Sequence, residues 1–84
     1  MPTRILFFGS LREQVGGAER VVDLPAHITS VDELIDWVAA GDSEIKSAFS
    51  SRSVRVAING AIVRRDARLD DAGEIAFMPT FSGG

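Results

Sequence analysis

The residues with the clearest capacity for chemistry close the chain, as Ser82-Gly83-Gly84. Glycine has no side chain, so a Gly-Gly segment can enter a narrow channel in a partner protein and present its carboxylate there. The 84 residues include no cysteine, so no side-chain thiol is available to carry an acyl or sulfur cargo. We therefore expect the Gly84 carboxylate to be the reactive group. The alternative is an end without function, because chain termini are often disordered.

Composition and charge narrow the classes of protein to which the chain can belong. Residues 1–84 correspond to one small domain, and 45% hydrophobic with 25% charged residues is ordinary for a globular protein. A net charge of −3 argues against nucleic-acid binding, which depends on a basic surface. Apolar runs such as residues 5–8 are too short to cross a membrane, and no signal peptide is visible. We expect a cytoplasmic protein without a metal site.

The hydrophobic pattern predicts an α+β domain of order β-β-α-β-β-β. Strands are predicted at residues 3–8, 20–24, 54–58, 61–63 and 74–78, with short helices at 11–15 and 42–49. The main helix should begin at Ser30, which forms a capping box with Glu33, and should end at Gly41. Asn59-Gly60 predicts a type I′ hairpin turn, and Pro79 should end the last ladder because it lacks an N–H.

Burial of these apolar stripes favours one helix laid across one face of a small mixed sheet. The first and last strands would then lie side by side at the centre of the sheet. In that arrangement Phe7 and Phe77 point to the helix, and Phe8 and Met78 share the opposite face. The alternative is that Phe8 and Met78 form a small core under a loop at residues 64–71, in which Leu69 is the anchor.

Three stretches of the chain carry a resemblance to a known family. They are residues 5–13, ILFFGSLRE; residues 56–60, VAING; and residues 69–84, LDDAGEIAFMPTFSGG. Together they resemble the small subunit of molybdopterin synthase, a ubiquitin-like sulfur carrier, over essentially the whole chain. The resemblance implies a β-grasp fold, with a mixed sheet of about five strands and one main helix packed on one face. Thr80 replaces the family's second proline, which should loosen the end slightly.

The resemblance also implies a chemistry for the last residue. A ubiquitin-activating-like adenylyltransferase would use ATP to make an acyl-adenylate at Gly84, and a sulfur donor protein would convert it to a thiocarboxylate. The thiocarboxylate would enter the large subunit of molybdopterin synthase, in a heterotetramer, and give sulfur to cyclic pyranopterin monophosphate. Gly83, which has no side chain, would allow the end of the chain to enter a narrow channel. The chain itself would bind no cofactor, and catalysis would belong to the large subunit.

We expect residues 79–84 to form a flexible tail whose root meets the partner proteins. The side chains expected to contact partners are Phe8, Met78, Pro79, Phe81 and Ser82. Phe81 would anchor the tail on a partner surface, or alternatively fold back onto its own sheet.

The remaining side chains with chemical potential have simpler structural explanations. His27 has no acidic motif nearby, so we interpret it as a surface residue. Trp37 lies beside the apolar stripe of the main helix and should be a half-buried flank. Arg64, Arg65 and Arg68 form a local basic patch, which is either a solvated loop or a contact for an acidic partner.

Other functions remain compatible with the same residues. The chain could carry sulfur for thiazole, cysteine or tRNA thiolation. It could be a ubiquitin-like modifier that forms isopeptide bonds with lysines, because the chemistry up to the adenylate is identical. It could also be an interaction domain with an inert end.

Overall fold

The computed structural model describes residues 2–70 and 72–80, which form a five-stranded mixed sheet with three helices on one face. The elements are β1 (Thr3–Phe7), α1 (Ser10–Val15), β2 (Glu19–Val22), α2 (Val31–Ala39), α3 (Ser43–Phe49), β3 (Val54–Ile58), β4 (Ala61–Val63) and β5 (Glu74–Pro79). The strand order across the sheet is β2-β1-β5-β3-β4. The predicted α+β arrangement is confirmed, with element ends shifted by one or two residues.

The first and last strands of the chain form the centre of the sheet. β1 and β5 run parallel, with Ile5 opposite Ile75 and Phe7 opposite Phe77. On its other side β5 pairs with β3 in antiparallel register, so β5 is hydrogen-bonded along both edges. The prediction of a mixed sheet with these two strands adjacent is therefore confirmed.

Three phenylalanines from different elements fill the space between the sheet and the helices. The rings of Phe7 and Phe77 stack at 6.0 Å, and Phe49 of α3 meets both rings edge-on at 5.7 and 5.1 Å. These geometries are the favoured ones for aromatic pairs. The predicted apolar stripe of α2 packs on the same cluster through four buried residues, Val31, Leu34, Ile35 and Val38.

The start of α2 is fixed by side-chain caps. The Ser30 hydroxyl oxygen accepts from the Glu33 N–H at 3.2 Å, as the capping box predicts. In a capping box the Glu33 carboxylate would accept from the backbone N–H of Ser30, but here it bonds to Thr29, the preceding residue. It accepts from the hydroxyl of Thr29 at 2.8 Å and from the Thr29 N–H at 3.0 Å. These hydrogen bonds, that of the Thr29 hydroxyl first, lower the pKa of Glu33 because they favour its charged form.

The end of α2 differs from the prediction by one residue. Its left-handed cap is Ala40, at φ 50°, and not Gly41, which follows at φ 88°. Two successive left-handed residues turn the chain directly into α3, where the Asp42 carboxylate caps the N–H groups of Glu44 and Ile45. The helix stop predicted at Gly41 is therefore wrong, because the chain reverses too early for glycine to take the cap.

Truncating the central phenylalanine should cost far more stability than truncating an exposed one. Phe49→Ala should lower the free energy of unfolding by about 3–5 kcal/mol, because it empties the centre of the aromatic cluster. Phe8→Ala should cost about 1 kcal/mol or less, because Phe8 is 47% exposed. Urea unfolding followed by the fluorescence of Trp37 measures both changes. Equal losses would contradict the assignment of Phe49 to the core.

Candidate functional site

The sheet face opposite the helices is apolar next to the end of β5. Successive side chains alternate between the two faces of a strand, so Phe8 and Met78, which follow Phe7 and Phe77, lie on the outer face. The Phe8 N–H extends the ladder by donating to the Phe77 carbonyl oxygen at 3.1 Å. The shared face of Phe8 and Met78 is thus as predicted. Their contact with a partner stays a prediction.

Ile62 enlarges this surface, although sequence patterns do not single it out. Ile62 lies opposite Ala57 of β3. Ala57 in turn lies opposite Ala76 of β5, and Ala76 lies opposite Leu6 of β1. These four residues therefore form one row across the outer face, and Ile62 is 61% exposed. A three-residue strand is too short for its alternation to reveal a buried or exposed face. We call the whole patch the docking surface, and its members are Leu6, Phe8, Ala57, Ile62, Ala76 and Met78.

Charged side chains border the docking surface at two places. On one side Arg4 lies between Glu19 and Glu74, at 3.2 and 3.1 Å. These pairs are about half exposed, so they contribute little to stability. On the other side Arg55 lies opposite Met78 and is exposed. The apolar patch is therefore enclosed by polar groups, as protein interaction surfaces commonly are.

The second half of the loop at residues 64–70 lies against the start of α2. The Leu69 N–H donates to the Thr29 carbonyl at 2.9 Å, and the Val31 N–H donates to the Ala67 carbonyl at 3.1 Å. The Leu69 side chain is buried in the main core, which confirms its predicted role as an anchor. The alternative of a small core formed by Phe8 and Met78 under this loop is therefore wrong.

β5 ends at Pro79, and the next residue is still hydrogen-bonded to the sheet. Pro79 pairs with Val54, and Thr80 then donates both its N–H and its hydroxyl to the Ser53 carbonyl, the hydroxyl at 2.8 Å. N–H groups alternate between the two edges of a strand, so the position of Pro79 faces β1 and that of Thr80 faces β3. On that side the carbonyl of Phe8, which follows β1, accepts from the Leu11 N–H at 3.2 Å, so the missing N–H of Pro79 leaves no acceptor there without a partner. The ladder therefore ends at Pro79, as predicted.

Gly9 closes the space beside Pro79. Its φ is +57°, and a Cβ placed on it would lie 2.7 Å from the Pro79 Cγ. Only glycine allows both this backbone conformation and this close approach. The proline ring is thus held by Gly9 on one side, while the next residue is held by the Ser53 carbonyl on the other.

Arg65 fixes the segment that receives Thr80. Its guanidinium group donates to the carbonyl oxygens of Ser50, Ser51 and Val54, the last at 3.3 Å. The hydroxyls of Ser51 and Ser53 are hydrogen-bonded at 2.8 Å. The Ser53 carbonyl, which accepts the two hydrogen bonds of Thr80, therefore lies in a turn that is stabilised by other hydrogen bonds.

The hydrogen bonds of Thr80 concern the prediction that threonine, in place of the family's second proline, loosens the end of the chain. Thr80 lacks the fixed φ of the family's second proline, but its N–H and hydroxyl tie it to the sheet. We call Pro79 and Thr80, with their contacts, the tail root. Phe81, Ser82, Gly83 and Gly84 lie outside the described residues, so every expectation for them stays a prediction.

The other residues selected from the sequence take structural positions. His27 is exposed, and Trp37 is half-buried against the core, which confirms it as a flank of α2. The predicted basic patch does not form as one unit. Arg65 turns inward to backbone carbonyls, whereas Arg64 and Arg68 pair with the neighbouring carboxylates of Asp66 and Asp70, at 3.7 and 3.3 Å.

Residues 2–70 and 72–80 contain neither a candidate metal site nor a candidate membrane span. No group of three or more histidine, cysteine, aspartate or glutamate side chains comes together there to hold a metal ion. No helix within these ranges has the length and apolar character needed to cross a membrane.

Known proteins share both the sequence pattern and the geometry. The ThiS family pattern matches residues 5–84 of the chain. The chain belongs to the ThiS family. It is also 31% identical, over 81 residues, to the molybdopterin synthase sulfur carrier subunit of Escherichia coli strain K12. That alignment covers 96% of this chain and 98% of the relative.

Solved structures establish the fold of this family member. SAMP1 from Haloferax volcanii superposes with a TM-score of 0.76 at 20% identity, covering 100% of both chains. A Pyrococcus furiosus protein described as subunit 1 of a molybdopterin converting factor gives a TM-score of 0.73 at 22% identity, covering 95% of this chain and 98% of its own. The ubiquitin-like β-grasp fold is thereby confirmed.

A methyl group at Gly9 should destabilise the tail root more than one at Gly16. Both glycines have positive φ, but Gly16 is left-handed helical at ψ 26°, whereas Gly9, at ψ −135°, lies in a region that glycine alone normally adopts. Backbone strain from alanine should therefore be about 1–2 kcal/mol at Gly16 and up to about 3 kcal/mol at Gly9. Only at Gly9 would the methyl also meet Pro79, since nothing lies within 4 Å at Gly16. Overpacking should add about 1–3 kcal/mol to the loss for Gly9→Ala, measured by thermal unfolding. Equal losses would show that the Pro79 ring is not held there.

Proposed function

We propose that the chain is the sulfur-carrier subunit of a molybdopterin synthase. One observation carries the proposal: the docking surface and the tail root lie at the same end of β5. Met78 belongs to the first and Thr80, two residues later, to the second. A partner protein seated on the docking surface therefore meets the chain next to Thr80, which directly precedes residues 81–84 in the sequence. Membership of the ThiS family and the likeness to the E. coli sulfur carrier subunit support this proposal.

The proposed chemistry takes place at the carboxylate of Gly84. A carboxylate is a poor electrophile because it is anionic and would have to expel oxide. Attack of its oxygen on the α-phosphate of ATP, in a ubiquitin-activating-like partner, releases pyrophosphate and makes AMP the leaving group. The persulfide of a donor protein then displaces AMP, and thiol cleavage of the resulting acyl disulfide leaves the thiocarboxylate. No side chain of the described residues needs to act as a catalyst in these steps.

The structure limits what a partner must supply to hold the end of the chain. Fixing one residue of a flexible segment costs about 1–2 kcal/mol in backbone entropy. Because Pro79 and Thr80 are already ordered on the sheet, a partner does not have to supply the cost of fixing these two residues. Burying the exposed parts of Phe8 and Ile62 contributes on the order of 1 kcal/mol each. The docking surface thus offsets part of the ordering cost, and groups that bind the carboxylate supply the rest.

The proposal assigns the remaining roles to other proteins. The large subunit of molybdopterin synthase, in a heterotetramer, would catalyse sulfur transfer to cyclic pyranopterin monophosphate. The adenylyltransferase would use ATP, while the chain itself would bind no cofactor. Phe81 and Ser82 would contact the walls of the channel, Gly83 would pass its narrowest part, and the assembly would work in the cytoplasm.

The intact mass of the protein tests the proposal. After incubation with the host's adenylyltransferase, ATP and a sulfur donor, the full chain should gain the mass that corresponds to exchange of one oxygen for sulfur. The chain lacking Gly84 should gain nothing, because its carboxylate is one residue too short. High-mass lysine conjugates would favour a ubiquitin-like modifier. An unchanged mass would favour an inert interaction domain.

Transfer of the sulfur identifies the pathway. The thiocarboxylated chain, mixed with the large subunit and cyclic pyranopterin monophosphate, should yield molybdopterin. Sulfur delivered only to a thiazole, cysteine or tRNA thiolation system would keep the carrier function but contradict the assignment to molybdopterin synthase.

A further inference from the structure

An open cleft lies beside the first half of β3, where β4 has ended. β4 pairs only with residues 56–58, so Val54 and Arg55 have no strand on that side within the part of the chain that the structure describes. The cleft has a volume of about 850 Å³. Its charged lining consists of Arg52, Arg55, Arg64, Arg65, Asp32 and Asp66. Four arginines against two aspartates leave positive charge in excess, in a chain whose net charge is −3.

Among the described residues, two of these arginines have neither a carboxylate nor a backbone carbonyl as a partner. Arg65 is occupied by backbone carbonyls, and Arg64 lies 3.7 Å from Asp66. For Arg52 and Arg55, no carboxylate among the described residues comes within 4.0 Å, and both side chains are exposed. The excess positive charge of the cleft is therefore concentrated on these two residues.

Both arginines flank the tail root. Ser53, whose carbonyl accepts the two bonds of Thr80, lies between Arg52 and Arg55 in the sequence. Arg55 also lies opposite Met78, at the border of the docking surface. A protein that covers the docking surface and takes up residues 81–84 must therefore pass over this pair.

We infer that Arg52 and Arg55 form a cationic contact for carboxylate side chains on the partner protein that takes up the end of the chain. The inference rests on the proposed function, since it assumes that such a partner exists. Arginine binds carboxylates in a planar, two-pronged geometry, which fixes orientation as well as supplying charge. Asp32 and Asp66 in the same cleft, and the overall negative charge, disfavour an extended polyanion such as RNA.

The contact acts mainly on the rate at which the two proteins find each other. Charges at the border of an interface steer the approach of the partner and are weakened by salt, more than they hold the finished complex. Here the two arginines attract the partner's acidic groups to the side of the sheet from which the end of the chain leaves. They thereby favour encounters in which that end faces its channel.

Association rates with the host's adenylyltransferase, measured by stopped-flow fluorescence at low and high salt, test this inference. The variant Arg52→Gln/Arg55→Gln should associate about five- to tenfold more slowly at low salt, with a smaller difference at high salt. The control Lys46→Gln/Arg68→Gln makes the same change in net charge away from the cleft, at residues paired with Asp36 and Asp70. It should change the rate by less than about twofold. Arg52→Lys/Arg55→Lys keeps the charge and should recover most of the rate.

Defined outcomes would overturn the inference. Equal association rates for the two glutamine variants would show that only net charge matters. Failure of the lysine variant to recover any of the rate would show that the arginines act through local structure and not through charge. An RNA oligonucleotide retained by the wild-type chain but lost by Arg52→Gln/Arg55→Gln would reassign the cleft to nucleic acid. In each of these cases the proposed function would stand as long as the wild-type chain still forms the thiocarboxylate. A wild-type chain that forms no thiocarboxylate would contradict the proposed function itself.

Discussion

The parallel pairing of β1 with β5 is the constraint on which the rest of the structure depends. It places Phe7 beside Phe77, and these rings with Phe49 make the centre of the core. The same register turns Phe8 and Met78 to the other face, because side chains alternate along a strand. All three helices contribute to the core on the first face, whereas Phe8 on the other face is 47% exposed. The core and the docking surface are thus two results of one strand pairing.

The pairing also decides where the end of the chain leaves the domain. β1 stops at Phe7 and turns away through Gly9, while β5 runs on beside β3 to Pro79. Thr80 is consequently fixed from one side only, by the Ser53 carbonyl. The result is an ordered tail root next to an apolar patch, at the border of a cleft that carries excess positive charge. This arrangement is suited to a protein whose last residues are bound by partner proteins.

Local signals explain what the sequence predicted well. The Ser30 cap and the left-handed Asn59-Gly60 turn depend on residues close in the chain, and both form as expected.

The features that the sequence did not predict are set by strands distant in the chain. The exposed position of Ile62 follows from the row that it forms with residues of three other strands, which no local pattern shows. The cationic pair beside the tail root depends on the early end of β4, which leaves Arg55 paired with β5 but not with β4. The sequence placed the basic patch at Arg64, Arg65 and Arg68, because nothing local shows that Arg65 binds the carbonyls of a distant turn.

The most direct test of the account is the affinity of the docking surface for the host's molybdopterin synthase large subunit, measured by isothermal titration calorimetry. Phe8→Ala/Ile62→Ala should weaken binding by roughly 30-fold or more, because it removes the two most exposed apolar side chains of that surface. The control Val21→Ala removes a side chain that is 63% exposed on the same sheet face but lies opposite Arg4, and it should leave the affinity unchanged. Equal affinities for the wild-type chain and the double variant would contradict the claim that the outer face of the sheet presents the end of the chain to its partner.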